Sequence, residues 1–203
     1  MRISKTLIAA AFAAALPLTA LAAPTVGQPA PAFTGKDMHG KTVNLADLKG
    51  KYVVLEWHNQ GCPFVVKHYE SGNMQKLQKE LTGQGAAWIT VISSAPGKQG
   101  HVTAAEEEAY LKAQNATPTD VVFDEDGKIG QAYGAKTTPH MFVIDDKGTL
   151  VYAGAIDDKA STDKADVAGA TNYVLAAYQE TKAGQPVKNP STAPYGCSVK
   201  YSN

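Results

Sequence analysis

The chain has 203 residues, with 19 basic and 19 acidic side chains, five histidines and two cysteines. This length suits one domain with a sizeable hydrophobic core. A balanced charge without a basic cluster argues against nucleic acid or an anionic membrane surface as the partner.

The first 22 residues have the pattern of a secretory signal peptide. Arg2 and Lys5 precede an alanine-rich apolar run, and Ala20-Leu21-Ala22 forms a small-x-small cleavage site. We expect cleavage after Ala22, with Ala23 as the alternative, and export to a bacterial periplasm. Because no second long apolar run follows, we expect no association with a membrane after cleavage. An exported protein can oxidise its two cysteines to each other if their geometry allows it.

Strands and helices alternate along the rest of the chain. Hydrophobic periodicity, turn residues and capping signals predict, in order, an extended segment at 23–36, strands at 42–45 and 52–57, a helix after Cys62 that is interrupted at 71–73, a strand at 87–92, a helix at 103–114, a strand at 121–123, a helical turn at 129–133, a hairpin at 141–153 and a helix at 165–182. This order indicates an α/β sandwich around a central mixed sheet. We expect one domain at 23–182 and a loop tail at 183–203 that carries Cys197.

Cys62 falls where a buried strand turns into a helix. Pro63 suits the first helical position, which makes Cys62 the expected N-cap residue. A thiol there faces unpaired backbone N–H groups and the positive end of the helix dipole, and both favour the thiolate. Since the thiolate is the nucleophile, we interpret Cys62 as reactive; the alternative is an inert buried cysteine.

Several motifs together carry a resemblance to a known family. They are the Cys62-Pro63-Phe64-Val65 turn, Thr137-Thr138-Pro139-His140 before the hairpin, Gly154-Ala155-Ile156-Asp157-Asp158, Gly196-Cys197-Ser198 in the tail, and the entry segment 27–33 with Gly40-Lys41, Leu45 and Gly50-Lys51. With these motifs the chain resembles the thioredoxin-like fold in its redoxin form, within the AhpC/TSA group. It is also similar to the poorly characterised peroxiredoxin-like branch of that group.

The resemblance implies a thiol-dependent redox protein, either a thiol-disulfide oxidoreductase or a peroxiredoxin-like antioxidant. It implies a cis proline that lies against the cysteine, a disulfide or peroxide substrate, a thiol reductant protein as partner and no bound organic cofactor. It also implies a substrate groove beside the cysteine, formed by Trp57, Asn59, Pro63, Thr138 and Pro139.

The chain departs from its relatives at two sets of positions. A thioredoxin places a second cysteine three residues after the first, where this chain has Val65. A typical peroxiredoxin has a proline seven residues before its cysteine, a threonine or serine three before, and a distant arginine. Here Leu55 and Asn59 occupy the first two positions, and no arginine follows the leader. Lys67 or Lys98 would be a less directional substitute for the arginine.

Cys197 has two interpretations that the sequence leaves open. A structural disulfide to Cys62 would stabilise the chain by about 4 to 5 kcal/mol in the chain-entropy model. Alternatively, Cys197 resolves an oxidised or mixed-disulfide Cys62. Both interpretations require the two sulfur atoms to meet, and the first leaves a non-enzymatic binding domain as the rival function.

Three histidines could lie near Cys62: His58, His68 and His140. Each has two interpretations: an ordinary surface or hydrogen-bonding histidine, or a functional group that acts as a base or stabilises the thiolate. His58, Cys62 and His140 also form a soft ligand set that suits copper, so a copper-binding redoxin is a further alternative.

Overall fold

The computed structural model describes residues 24–202, so the predicted signal peptide lies outside the described residues. Nine strands occur in this part of the chain: β1 (Thr34–Asp37), β2 (Thr42–Asn44), β3 (Val53–Trp57), β4 (Ala87–Ile92), β5 (Asp120–Phe123), β6 (Thr137–Thr138), β7 (His140–Ile144), β8 (Leu150–Gly154) and β9 (Cys197–Ser198). Seven of them form one sheet in the order β2-β1-β5-β4-β3-β7-β8, and β6 pairs with β9 in a second, two-stranded sheet.

Helices pack on both faces of the large sheet. They are α1 (Pro63–Glu70), α2 (Asn73–Gly83), α3 (Ala104–Gln114), α4 (Lys128–Tyr133) and α5 (Tyr173–Lys182), with short 3-10 helices at Leu45–Leu48 and Lys164–Gly169. In the part of the chain that the structure describes, every helix is too short or too polar to span a membrane. The mixed sheet with helices on its faces confirms the predicted α/β sandwich.

The three central strands place the cysteine turn beside the proline loop. Strand β3 runs parallel to β4 and antiparallel to β7, with Trp57 opposite His140. The end of β3 therefore lies at the same edge of the sheet as the start of β7. All residues of β3, β4 and β7 are buried, as expected for strands covered on both faces.

Each face of the sheet has its own apolar layer. The layer under α1, α2 and α5 contains Val65, Leu77 and Tyr178, and the opposite layer under α4 contains Trp57 and Tyr133. Burying such side chains contributes about 1.5 to 3 kcal/mol each, so the two layers hold the elements that carry the site.

Local signals placed most element boundaries correctly. The predicted interruption at 71–73 is confirmed: α1 ends at Glu70, and Gly72 adopts φ 75°, which a glycine tolerates best, before α2 begins. The helix predicted at 103–114 is also confirmed, and it begins with a capping box: the Thr103 hydroxyl accepts from the N–H of Glu106, and the Glu106 carboxylate accepts from the N–H of Thr103. The extended segment at 23–36 ends in a strand that the sequence did not indicate: β1 pairs with both β2 and β5.

The prediction of one helix at 165–182 is wrong. The chain is extended at Ala170, and α5 begins only after Asn172, whose side chain accepts from the N–H of Leu175 at 2.9 Å. Asp158 explains the break, because its N–H donates to the Thr171 carbonyl and its carboxylate accepts from the Thr171 N–H. These bonds require extended backbone, so tertiary pairing overrides helix propensity here.

We expect Asn172→Ala to lower the free energy of unfolding by about 1 kcal/mol, because α5 loses its N-cap acceptor. Asn172→Asp retains an acceptor oxygen and should stay near wild type. Urea denaturation with an unchanged m-value measures both variants. Equal midpoints for wild type and Asn172→Ala would contradict this role of the cap.

Candidate active site

Cys62 is the N-cap residue of α1, as predicted. Its backbone is extended at φ −84° and ψ 122°, and Pro63 occupies the first helical position. The Cys62 N–H donates to the carbonyl of Asn59 at 2.9 Å, which closes the turn after β3. The sulfur makes no capping hydrogen bond. Instead it lies 3.0 Å from the carbonyl oxygen of Thr138 on β6.

The tail brings Cys197 to this sulfur. Strand β9 pairs antiparallel with β6, with Cys197 opposite Thr138, and the two sulfur atoms are 2.7 Å apart. Both cysteines are free thiols. The Thr138-Pro139 bond is cis, as the resemblance implied. The sequence left open whether the two cysteines meet, and here they are in contact.

Gly196 allows this close approach. It has φ 139°, and a Cβ atom at this position would collide with the carbonyl oxygen of Thr138. Beyond β9 the chain stays docked, because the Val199 N–H donates to Lys136 and the Tyr201 hydroxyl donates to the Ala135 carbonyl at 2.8 Å. The tail therefore covers Cys62, whose exposed fraction is 0%.

The pKa values of the two thiols are shifted in opposite directions. Burial raises the pKa of Cys62, but hydrogen bonding from Cys197 and the nearby backbone N–H of Val65 outweigh burial and leave its pKa below the ordinary value. Burial and the neighbouring Cys62 sulfur raise the pKa of Cys197. The proton therefore stays on Cys197 when the pair loses one, so Cys62 is the thiol that ionises first.

The predicted groove residues divide into two groups. Thr138 and Pro139 are buried beside the cysteines, and Pro63 is exposed at the rim. Trp57 is not part of a groove, because it is fully buried in the core and its indole N–H donates to Ser93 at 3.0 Å. Trp57 is the last residue of β3, a strand that is covered on both faces, and this position explains its burial.

The Asn59 side chain also uses its hydrogen-bonding groups within the protein. Its side-chain N–H donates to the side-chain oxygen of Gln99 at 2.8 Å, and its side-chain oxygen accepts from the N–H of Gly61. Asn59 thus ties the cysteine turn to the loop after β4. Lys67 does not take the place of an arginine either, since it is buried and its ammonium donates to the Lys159 carbonyl at 2.7 Å.

The copper set does not assemble. His140 lies opposite Trp57 in the β3–β7 ladder and shares its face, whereas His58 follows Trp57 and points to the other face. The His140 ring lies 4.4 Å from that of Phe142 and accepts from the N–H of Lys136. Within residues 24–202, no three His, Cys, Asp or Glu side chains converge in a way that could hold a metal ion.

Two buried carboxylates near His58 were not identified from the sequence. Glu56 and Glu107 lie 3.4 Å and 3.8 Å from the two imidazole nitrogens. Burial lowers the pKa of His58, but these two carboxylates raise it more. Trp88 and Tyr69 donate to Glu56. A charged residue inside an otherwise apolar strand was the available signal for this cluster.

Residues 26–153 match the model of the AhpC/TSA family. The chain belongs to the AhpC/TSA family. This assignment confirms the redoxin class that the motifs indicated, and the match covers β1 to β8 but ends before the tail.

Curated relatives of this AhpC/TSA protein are named as thioredoxin-like proteins and thiol-disulfide oxidoreductases. The thioredoxin-like protein YneN of Bacillus subtilis is 28% identical over 143 residues, which is 70% of this chain and 79% of the relative. The thiol-disulfide oxidoreductase ResA of Bacillus subtilis is 29% identical over 132 residues, 62% of this chain and 64% of the relative. The chain thus spans just under two thirds of ResA. Such names confirm the predicted class of thiol-dependent oxidoreductase.

Solved structures share the fold. A hypothetical protein of Sinorhizobium meliloti superposes with a TM-score of 0.72 at 25% identity, covering 89% of this chain and 97% of that one. Other matches include the thioredoxin domain of a thiol-disulfide oxidoreductase. The thioredoxin-like fold is therefore confirmed.

We expect the reduced protein to titrate one thiolate below the ordinary cysteine range and one above it. Cys62→Ala should abolish the low transition, and Cys197→Ala should abolish the high one. Thiolate absorbance in the ultraviolet, followed against pH, measures both. Two transitions in the ordinary range would contradict the asymmetry.

Burial, together with the smaller effect of the Lys136 charge, lowers the pKa of His140 to about 3. The unfolded chain binds this proton near pH 6.5 while the folded protein resists it, so stability is lost as the pH falls from about 6.5 toward 3. Between pH 7 and pH 5, we expect His140→Gln to lose about 2 kcal/mol less unfolding free energy than wild type. His39→Gln, at an exposed histidine, is the matched control in urea unfolding. Parallel pH profiles for wild type and His140→Gln would exclude the effect.

Proposed function

We propose that this AhpC/TSA protein is an exported thiol-disulfide oxidoreductase with Cys62 as nucleophile and Cys197 as resolving cysteine. The observation that carries the proposal is the 2.7 Å contact between the two sulfur atoms. The opposite directions of their pKa shifts support the assignment of roles. The names of the relatives support the reaction class.

Exchange proceeds in two displacement steps. The Cys62 thiolate attacks one sulfur of a substrate disulfide, that S–S bond breaks, and the first substrate thiolate leaves and takes up a proton. Cys197 then loses its proton and attacks the Cys62 sulfur of the mixed disulfide, which releases the second substrate thiol. The substrate gains two electrons, and the protein retains a Cys62–Cys197 disulfide. An external thiol reductant protein returns it to the dithiol.

Disulfide exchange fits the site better than peroxide reduction. A peroxide would be attacked by the same thiolate to give a sulfenic acid that Cys197 resolves with loss of water. A fast peroxidase also needs a strong donor for the peroxide oxygens. Here the leader holds the chain's single arginine, and both Asn59 and Lys67 are engaged elsewhere.

A permanent structural disulfide between the same residues is the competing proposal. It would leave the groove beside Pro139 as a binding site without catalysis. Structural disulfides resist reduction, with potentials below about −300 mV, whereas catalytic ones are more oxidising. The reduction potential of the pair therefore separates the two functions.

Export and the domain limits belong to the proposal as well. The leader at 1–22 directs the chain to a periplasm, 23–182 forms the redoxin domain, and 183–203 is the tail that carries the resolving cysteine. The end of α5 at Lys182 supports the last boundary. No bound organic cofactor takes part in the proposed reaction.

We expect the purified protein to start as a dithiol and to close to Cys62–Cys197 with one equivalent of a small disulfide. Cys197→Ala should stop at a mixed disulfide on Cys62, because the resolving thiol is absent. Thiol labelling followed by mass spectrometry locates each state, and hydrogen peroxide in a parallel arm tests the peroxidase reaction.

Cys62→Ala is the matched control, since Cys197 alone should remain a thiol at neutral pH. A wild type that is isolated with a closed bridge and survives a mild reductant would establish the structural role. A faster closure with peroxide than with disulfide would assign the peroxidase reaction.

A further inference from the structure

A buried polar cluster lies under the tail, away from the two reacting sulfur atoms. His68 on α1 and Asp157 after β8 are 0% and 2% exposed, and both contact the hydroxyl of Tyr195. This hydroxyl donates to Asp157 Oδ1 at 2.5 Å and lies 3.1 Å from His68 Nε2. We refer to His68, Asp157 and Tyr195 as the tail latch.

The hydrogen-bond directions in the tail latch are determined. The Asn73 amide N–H donates to His68 Nδ1 at 2.9 Å, so the proton of the neutral ring is on Nε2 and is donated to the Tyr195 oxygen. Burial lowers the pKa of His68 to about 4, which keeps the ring neutral. The hydroxyl proton of Tyr195 then goes to Asp157, whose carboxylate also accepts from the N–H of Lys159. Asp157 Oδ2 has no hydrogen-bond partner among the described residues, but the bonds at Oδ1, Tyr195 and both His68 nitrogens favour one geometry.

The tail latch connects Cys197 to the helix that carries Cys62. Helix α1 has Cys62 at its N-cap and His68 in its last turn. On the tail, a single residue separates Tyr195 from Cys197, and that residue is Gly196, which packs against the Thr138 carbonyl. The Tyr195 ring also lies 5.7 Å from that of Phe64 on α1. Fixing Tyr195 on α1 therefore fixes Cys197 relative to Cys62.

We propose that the tail latch positions Cys197 against Cys62, and so sets how favourably the two thiols close to a disulfide and how fully the tail covers Cys62. This inference rests on the proposed function. His68, Asp157 and Tyr195 are positioning residues, because none of them touches a reacting sulfur. Closure with glutathione disulfide forms the Cys62–Cys197 bond, breaks the glutathione S–S bond and yields two glutathione thiols.

Tyr195→Phe is the sharpest variant, because it keeps the ring and removes only the hydroxyl. In glutathione redox buffers we expect the equilibrium constant for closure to fall, because the disulfide form always loses the hydrogen bond to a charged group, whereas an undocked reduced tail has none to lose. Tyr133→Phe is the matched control: it loses a buried hydroxyl bond to the Pro31 carbonyl in the opposite layer and should retain the wild-type constant.

Alkylation of the reduced protein gives an independent measure of tail closure. Iodoacetamide should label Cys62 faster in Tyr195→Phe than in wild type, because the reduced tail opens more often, and this fold-change multiplied by the fold-change in the closure constant should be about ten. Asp157→Asn, which keeps an acceptor oxygen but loses the charge, should shift in the same direction by less. It also provides a second test if Tyr195→Phe does not fold.

The outcomes separate this inference from the proposed function. A wild type that never closes with glutathione disulfide overturns both. If wild type closes, but its closure constant and its labelling rate equal those of Tyr195→Phe and Asp157→Asn, only the tail latch is overturned. An equal loss in Tyr133→Phe would also overturn it, since a general loss of stability would then explain the effect.

Discussion

The pairing of β9 with β6 is the contact on which the candidate site depends. It sets Cys197 opposite Thr138 and brings the second sulfur within 2.7 Å of the first. In a thioredoxin the second cysteine comes from the helix itself, but here Val65 has that position and belongs to the core. The tail supplies the missing thiol from the proline-loop side of the turn.

The same contact brings the two sulfur atoms together but blocks access to Cys62. The docked tail holds the Cys197 thiol in place and leaves no exposed surface on Cys62. In the proposed exchange, a large disulfide substrate reaches Cys62 only when the tail lifts. Under the proposed function, the stability of tail docking therefore balances fast resolution by Cys197 against access to Cys62. Hydrogen bonds at Tyr195 and Tyr201, on either side of β9, contribute to that stability.

Buried polar groups surround the cysteine turn on one face of the sheet. Glu56, His58 and Glu107 of α3 lie together, and His68 and Asp157 lie under the tail. On α1, Tyr69 donates to Glu56 and His68 contacts the Tyr195 hydroxyl of the tail, and because buried polar groups are costly to leave unpaired, these two contacts restrict how α1 can sit. A helix held in this way presents Cys62 at its N-cap in one orientation.

Local sequence determined the cysteine turn and most of the elements. Pro63 after Cys62, the capping box at Thr103 and the glycine break at Gly72 each act through neighbouring residues, so each could be recognised without the fold. Contacts between distant segments could not: the extended break before α5, the burial of Trp57 and the separation of His58 from His140 follow from pairing across the sheet. The meeting of Cys62 and Cys197 belongs to the same class, because it depends on where a tail more than a hundred residues away packs, and only tertiary structure decides that.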